Sequence, residues 1–282
     1  LTRRWRLIKR RDSGTGGDDT PEGVDPEIFR RLRLMPRTGR PSATLYNARQ
    51  IIHDHNLHRE IGRPRLNLLD NRVYLERGGV TRLMSDRDVV DVAVWIDERY
   101  SCEVSSTTAY QILDTAAREA AYHPIRDYLS GLRWDGVERL RGFAFTYLNA
   151  SQDDPNADLW AEYCLRWIVS AVARSFAGVD PISGVPTLVK ADHVLVLAGR
   201  QGAGKSTAAR ILGGDYHADT PIQYGTRDAY QALRGVWCYE LAELAKVRGS
   251  ELEDVKAFIS DERAHYRPSY GRCEVDAPRQ CV

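Results

Sequence analysis

Nine consecutive residues, Gly199-Arg200-Gln201-Gly202-Ala203-Gly204-Lys205-Ser206-Thr207, fit the pattern Gly, four free positions, Gly, Lys, then Ser or Thr. Each fixed position has a mechanical reason. Glycines permit positive φ angles and let the backbone approach an oxyanion closely. A helix starting here turns its first N–H groups, which lack intrahelical acceptors, toward one spot that a polyphosphate can fill. Lys205 would reach the β- and γ-phosphates of ATP and the Ser206 hydroxyl would ligate Mg²⁺. The candidate nucleotide-binding residues are therefore Gly199, Gly202, Ala203, Gly204, Lys205, Ser206 and Thr207.

Hydrolysis would also need carboxylates. The run Gly235-Val236-Trp237-Cys238-Tyr239-Glu240-Leu241 is apolar and ends in an acid, and Glu243 follows three residues later. In a parallel α/β sheet ligands gather at the carboxyl ends of strands, which puts Glu240 or Glu243 in position to hold Mg²⁺ or to polarise the attacking water. Lys205, Glu240 and Glu243 are the catalytic candidates, with Ser206 and Glu240 for the metal. The same Glu-Leu-Ala-Glu-Leu also reads as the start of an ordinary helix whose dipole favours acids. A third constellation, Lys256, Arg263, Arg267, Tyr270 and Arg272, mixes cations with aromatic rings, which suits phosphates and stacked bases of a nucleotide or of single-stranded DNA. A solvated loop is the competing reading.

The elements that must position these groups are legible in part. The apolar run His193 to Ala198 predicts a buried strand feeding the loop, and Lys205 onward predicts a helix. Tyr216 to Asp219 predicts a short second strand, Gln231 to Leu233 the close of a helix, and Glu251 to Ser260 another helix. Upstream, Leu159, Tyr163, Trp167, Ile168, Ala171 and Val172 mark an apolar helix over 157–177 that packs on this core. His123 to Leu140 reads as a structured hinge in which Trp134 is an apolar plug before a turn at Asp135-Gly136.

In the first half, 42–60 has the period of one amphipathic helix with Ser42 or Thr44 as its cap. Its histidines, His53, His55 and His58, lack a carboxylate or cysteine to complete a metal set and read as surface residues. Arg65 to Leu69 and Arg72 to Glu76 predict a hairpin turning at Asp70-Asn71, and helices follow over 85–100 and 106–121. Helices beside a hairpin resemble a winged helical module, which could bind DNA or dock on the ATPase half. The domains predicted are 1–40, a basic, flexible tail or linker; 41–140, a helical domain with a β-hairpin; 141–190, a helical connector; and 191–282, the ATPase domain.

Composition sets outer limits. With 282 residues, 43% of them hydrophobic, the chain can bury a proper core, and a net charge of +1 argues neither for nor against nucleic acid. Five scattered cysteines without a C-x-x-C pair read as reduced thiols. No apolar stretch approaches the length of a membrane span and no signal peptide opens the chain, so a cytoplasmic protein without a membrane partner is expected. The first residue is Leu rather than Met, which suggests a fragment. No Asn-Lys-x-Asp of a GTPase is present, and no lid-like arginine set of a small-molecule kinase.

Four stretches together carry a family resemblance: Pro124-Ile125-Arg126-Asp127-Tyr128-Leu129 through Trp134-Asp135-Gly136-Val137-Glu138-Arg139-Leu140, the loop at Gly199, the acidic Glu240 to Leu244, and Lys256-Ala257-Phe258 through Arg267-Pro268-Ser269-Tyr270-Gly271-Arg272. In order and spacing the chain resembles the virulence-associated E family across roughly 40–282. That family is similar to helicase modules of phage and plasmid primases, near the superfamily three and AAA+ ring ATPases. The resemblance implies an α/β P-loop NTPase fold with an incomplete parallel sheet, preceded by a mainly helical domain.

It further implies ATP and Mg²⁺ as ligands, single-stranded DNA as substrate, a homo-oligomeric ring, and a primase-polymerase domain or partner. A non-catalytic, nucleotide-gated DNA or replisome adaptor is the alternative. The acids stand three apart where the family has them adjacent, which leaves open which Glu activates water. The family's strand continues past Cys281-Val282 to a polar sensor and to arginines for a neighbour's site, so the sequence reads as stopping within the ATPase fold, able to bind nucleotide with little turnover.

Overall fold

A computed structural model describes residues 20, 23–178, 189–191, 193–224, 226–241, 250–266 and 275–282. The chain divides into two units, Leu1–Tyr122 and His123–Val282.

In the first unit Asp25 starts α1 (Pro26–Arg31) by accepting the N–H groups of Glu27 and Ile28. The chain then doubles back in an arch from Arg33 to Ser42, with Leu34 bridging Pro41 and the Met35 N–H donating to the Arg40 carbonyl at 2.7 Å. Residues 23–42 are thus built structure where a linker was expected. Val24, Ile28, Phe29 and Leu32 recur at a spacing that lets them all reach the core, which the polar composition around them obscured.

The helix expected over 42–60 is two helices, α2 (Leu45–Ile51) and α3 (His55–Glu60), with Thr44 as the first cap. Asp54 divides them because its carboxylate is used twice. One oxygen accepts the Asn56 N–H at 2.7 Å and the other the Tyr100 hydroxyl at 2.6 Å. Burial first, and then this bond to Asp54, pushes the Tyr100 phenol well above its ordinary range.

The hairpin pairs β1 (Arg63–Asn67) with β2 (Arg72–Arg77), and Asn71 takes the left-handed conformation at φ 54° that the turn requires. A third strand, β3 (Val80–Leu83), was not expected. Gly78 and Gly79, at φ 56° and 79°, reverse the chain onto β2. Helices α4 (Asp86–Tyr100) and α5 (Ser106–Glu119) complete the unit, and Ile51, Leu57, Val92, Ile96, Ile112 and Leu113 fill its core.

The second unit begins earlier than the predicted boundary after Leu140, because the His-Pro-Ile-Arg segment bonds to later residues. His123 caps α6 (Pro124–Gly131) with Nδ1 accepting the Arg126 N–H. In the neutral ring the proton is then on Nε2, which donates to Gln280 Oε1 at 2.7 Å. Trp134 is no plug, with 80% of its surface exposed. Asp135 closes a self-contained turn by accepting from the Val137 N–H and the Arg139 guanidinium, and Gly136 sits at φ 85°.

After α7 (Phe143–Thr146) comes α8 (Ala157–Ser175). Arg126 satisfies the end of α8 by donating to the Ser175 and Ala177 carbonyls at 2.6 and 2.9 Å. Trp237 Nε1 donates to the Ala171 carbonyl of α8 at 3.0 Å. Buried Arg174 ties α8 to two distant segments, donating to the carbonyls of Ala191 and Cys281 at 2.6 and 2.8 Å.

The helix α9 (Lys205–Gly213) leads into β4 (His217–Ala218), α10 (Arg227–Ala232), β5 (Cys238–Tyr239), α11 (Ser250–Ser260), β6 (Arg263–Tyr266) and β7 (Val275–Pro278). β4 and β5 run parallel. Val282 lies along the other edge of β5, accepting from the Tyr239 N–H at 2.9 Å and donating to the Trp237 carbonyl at 3.0 Å.

The run 193–198 is not a strand, and Val196 is 68% exposed. Among the described residues it pairs with no strand, and both edges of β5 are taken, by β4 and by Val282. Part of 261–272, for which a solvated loop was the competing reading, is strand, β6 pairing antiparallel with β7. The described residues are therefore mixed α/β: a three-stranded antiparallel sheet in one unit, a short parallel pair in the other. The strand expected over 193–198 is not part of that parallel pair.

Candidate functional site

The loop Gly199 to Gly204 ends where α9 begins. Gly202 and Gly204 adopt φ 79° and 83°, which a side chain would disfavour, and Gly204 is the cap residue. The Ala203 N–H returns to the Arg200 carbonyl at 3.2 Å and the Ala208 N–H to the Gly204 carbonyl at 2.9 Å, so the first helical turn closes behind the loop. Lys205 folds back over it, its ammonium donating to the carbonyls of Gly199 and Arg200, each at 2.9 Å. The loop thus carries a cation held by carbonyl dipoles, an arrangement an incoming anion can exchange for itself.

Ser206, the second residue of the same helix, faces the parallel pair. Its hydroxyl donates to Glu240 Oε1 at 2.5 Å, and Glu240 directly follows β5 with its own N–H bonded to the Ala218 carbonyl at 2.8 Å. The other oxygen of Glu240 lies 3.3 Å from His217 Nε2 on β4. This contact is sheltered, the two side chains being 8% and 20% exposed.

Gly213 explains how α9 comes so close to the strands. A methyl group there would stand 2.8 Å from His217 Cβ and 2.9 Å from Cys238 Cβ. Just past the end of β4, Asp219 pairs with Arg210 of α9 at 3.3 Å.

Ser206 and Glu240 offer hard oxygen donors at contact distance, and Mg²⁺ prefers such ligands with water completing its shell. The donor set fits that ion. The far end of α9 borders a separate apolar cleft of about 510 Å³, lined among others by Leu129, Trp167, Ile211 and Trp237.

The structure brings together Gly199, Gly202, Ala203, Gly204, Lys205, Ser206 and Thr207 with Glu240. It does not bring Lys256 to them, whose ammonium pairs with Glu253 on α11 at 2.8 Å. Arg263 opens β6 opposite Pro278. Glu243, Arg267, Tyr270 and Arg272 lie outside the described residues. His217 was missed by sequence reasoning. No local pattern marks it, since its approach to Glu240 is set by the pairing of β4 with β5.

Fold and site together define a mixed α/β protein whose second unit presents a glycine-rich loop at the start of a helix, with a hydroxyl and a carboxylate in contact beside it. Residues 129–282, more than half of the chain, match the virulence-associated protein E-like domain, and the chain belongs to that family. A 72-residue stretch is 35% identical to a protein of Pseudomonas savastanoi pv. phaseolicola (strain 1448A / Race 6) that bears the name of a ribose/galactose/methyl galactoside import ATP-binding protein. The match takes in 26% of this chain and 13% of that protein's length. Among the described residues no helix is long and apolar enough to cross a membrane.

Proposed function

We propose that the chain binds ATP with Mg²⁺ at the Gly199 to Thr207 loop and serves as the ATPase part of a helicase-like DNA replication protein of mobile elements. The observation that carries this reading is the Ser206–Glu240 contact, which joins the start of the loop's helix to the end of a parallel strand. The name of the Pseudomonas relative supports nucleotide binding, and the family supports the mobile-element setting. In this reading the complete protein is a homo-oligomeric ring working on single-stranded DNA, with a primase domain or partner.

The chain's own groups divide the work. The N–H groups at the start of α9 orient the phosphates, and the Lys205 ammonium leaves the Gly199 and Arg200 carbonyls for the β- and γ-oxygens. Ser206 and Glu240 hold Mg²⁺, which when bound supplies charge neutralisation for phosphoryl transfer. Water attacks the γ-phosphorus, the new P–O bond forming as the bond to the β,γ-bridging oxygen breaks. With Glu240 on the metal, Glu243 is the glutamate that takes up the proton.

One observation favours the second reading, a nucleotide-gated adaptor without turnover: both oxygens of Glu240 are already engaged, by Ser206 and His217. The two part on a single experiment. Lys205→Ala should abolish ATP binding under either reading, whereas single-stranded DNA should stimulate phosphate release only under the first. ATP bound equally well by Lys205→Ala would overturn both.

A further inference from the structure

The first unit carries its charge unevenly. From residue 28 to 53 there are six arginines, Arg30, Arg31, Arg33, Arg37, Arg40 and Arg49, and no Asp or Glu. Over 54–122 the balance reverses, with nine arginines against twelve acids. The positive stretch is α1, the arch and α2, so folding gathers it onto contiguous structure. Arg49 pairs with Glu119 at 2.8 Å, while among the described residues Arg31, Arg33 and Arg37 have no carboxylate partner.

The arch is a rigid mount. Asn47, fully buried, grips its base on both sides: its Oδ1 accepts the Arg33 N–H, and its Nδ2 donates to the carbonyls of Arg33 and Ser42, each at 2.8 Å. Thr38 Oγ1 accepts the Arg40 N–H and closes the tip. Holding cations on a fixed frame lowers the ordering entropy that binding must overcome.

Aromatic surface accompanies the charge. The Arg33 guanidinium stacks 4.2 Å above the Tyr46 ring, and Tyr46 stays 40% exposed beside Leu34, Met35 and Leu45. A stacked guanidinium keeps its N–H edge free for a phosphate, and the exposed ring and apolar neighbours offer faces to unpaired bases.

We infer that the arch Arg33–Ser42, with Arg31 and Tyr46, is a binding surface for single-stranded nucleic acid. The arginines pair the phosphodiester backbone and Tyr46 stacks a base. The surface belongs to the first unit and needs neither ATP nor the glycine loop, although it rests on the proposal that this chain works on nucleic acid.

The test is fluorescence anisotropy of the whole chain, without nucleotide, on labelled 20-base single-stranded DNA, the same RNA sequence, and a DNA duplex, across a salt series. Arg31→Ala/Arg33→Ala/Arg37→Ala should weaken single-strand binding at least about tenfold and lower the log–log salt slope by about 2, at roughly 0.7 per lost phosphate contact. Tyr46→Ala should weaken binding with the slope unchanged. The DNA and RNA arms decide which polymer is bound. Unfolding midpoints equal to wild type are expected, since the substituted side chains are exposed.

Wild-type affinity in the folded triple variant would overturn the surface while leaving DNA as a partner elsewhere on the chain. Absence of any oligonucleotide binding by wild type would overturn both. Loss confined to the duplex, or to co-sedimentation with phosphatidylserine vesicles, would overturn the single-strand assignment.

Discussion

Ser206 and Glu240, thirty-four residues apart in sequence, meet through a 2.5 Å hydrogen bond from the hydroxyl to the carboxylate. A serine at a helix start has many uses, capping among them, but this one faces away from its own helix end and toward a strand end. The pair sets a hydroxyl and a carboxylate in contact beside the glycine-rich turn.

The first prediction follows from that pair. On the proposed function, Ser206→Ala removes one of the two oxygen ligands assigned to Mg²⁺ and should lower affinity for Mg·ATP about tenfold, equivalent to about 1.4 kcal/mol. Affinity for ATP in excess EDTA should not change. Titration with a fluorescent ATP analogue under both conditions reads the difference, and equal losses with and without Mg²⁺ would assign the hydroxyl a structural role.

His217 acts on the same carboxylate from the other side, with Nε2 3.3 Å from Glu240 Oε2. Outer partners of metal-binding carboxylates fix their orientation, and losing one commonly costs about tenfold or more in metal affinity. His217→Phe should therefore raise the half-saturating Mg²⁺ concentration by about that factor, and His217→Gln, which can still donate, should recover most of it. A purely packing role for the ring would give the opposite ranking, with Phe the better replacement.

Much of this site was readable from residue order. The loop was legible because its constraints are local: glycine at positive φ, lysine and hydroxyl at fixed offsets from one helix start. Glu240 was legible as the polar end of an apolar run. His217 was not, because its partner is set by the β4–β5 register, which pairs His217 with Cys238 two residues before Glu240.

The same distinction runs through the fold. Thr44, Ser85 and Asn71 declare their caps and turn in sequence, whereas Asp54 interrupts a helical pattern only because Tyr100 arrives from forty-six residues away. The apolar run 193–198 was read as buried strand on composition alone. Strand formation also needs a ladder partner, and among the described residues 193–198 pairs with none.

Gly213 offers a test in which two effects oppose. Its backbone is ordinary for any residue and it ends α9, so Ala there gains up to about 1 kcal/mol in helix propensity. Its new methyl, however, would lie 2.8 Å from His217 Cβ and 2.9 Å from Cys238 Cβ, backed by two strands. Forcing an extra carbon into a packed contact costs typically about 1–3 kcal/mol. Gly213→Ala should therefore lower the urea midpoint of the chain, and a raised midpoint would show that the strands stand off farther than described.

Burial is the largest influence on His123 and pushes its imidazole below the ordinary value of 6.5, with the Gln280 bond opposing it only in part. Because the folded pKa is the lower one, between it and 6.5 the unfolded chain binds a proton that the folded chain refuses. The contribution of His123 to stability is thus complete above pH 6.5 and is lost progressively as pH falls from there toward the folded value, at up to about 1.4 kcal/mol per pH unit. Protonation would also put a proton on Nδ1, which now accepts the Arg126 N–H and caps α6. His58 is shifted the same way by burial, so wild type alone does not isolate the effect. His123→Asn keeps a cap-forming acceptor without a titrating ring. Urea unfolding at pH 7.5 and 5.5 should show a smaller loss of stability in His123→Asn than in wild type, and equal losses in the two proteins would mean that His123 does not titrate in the folded chain's favour.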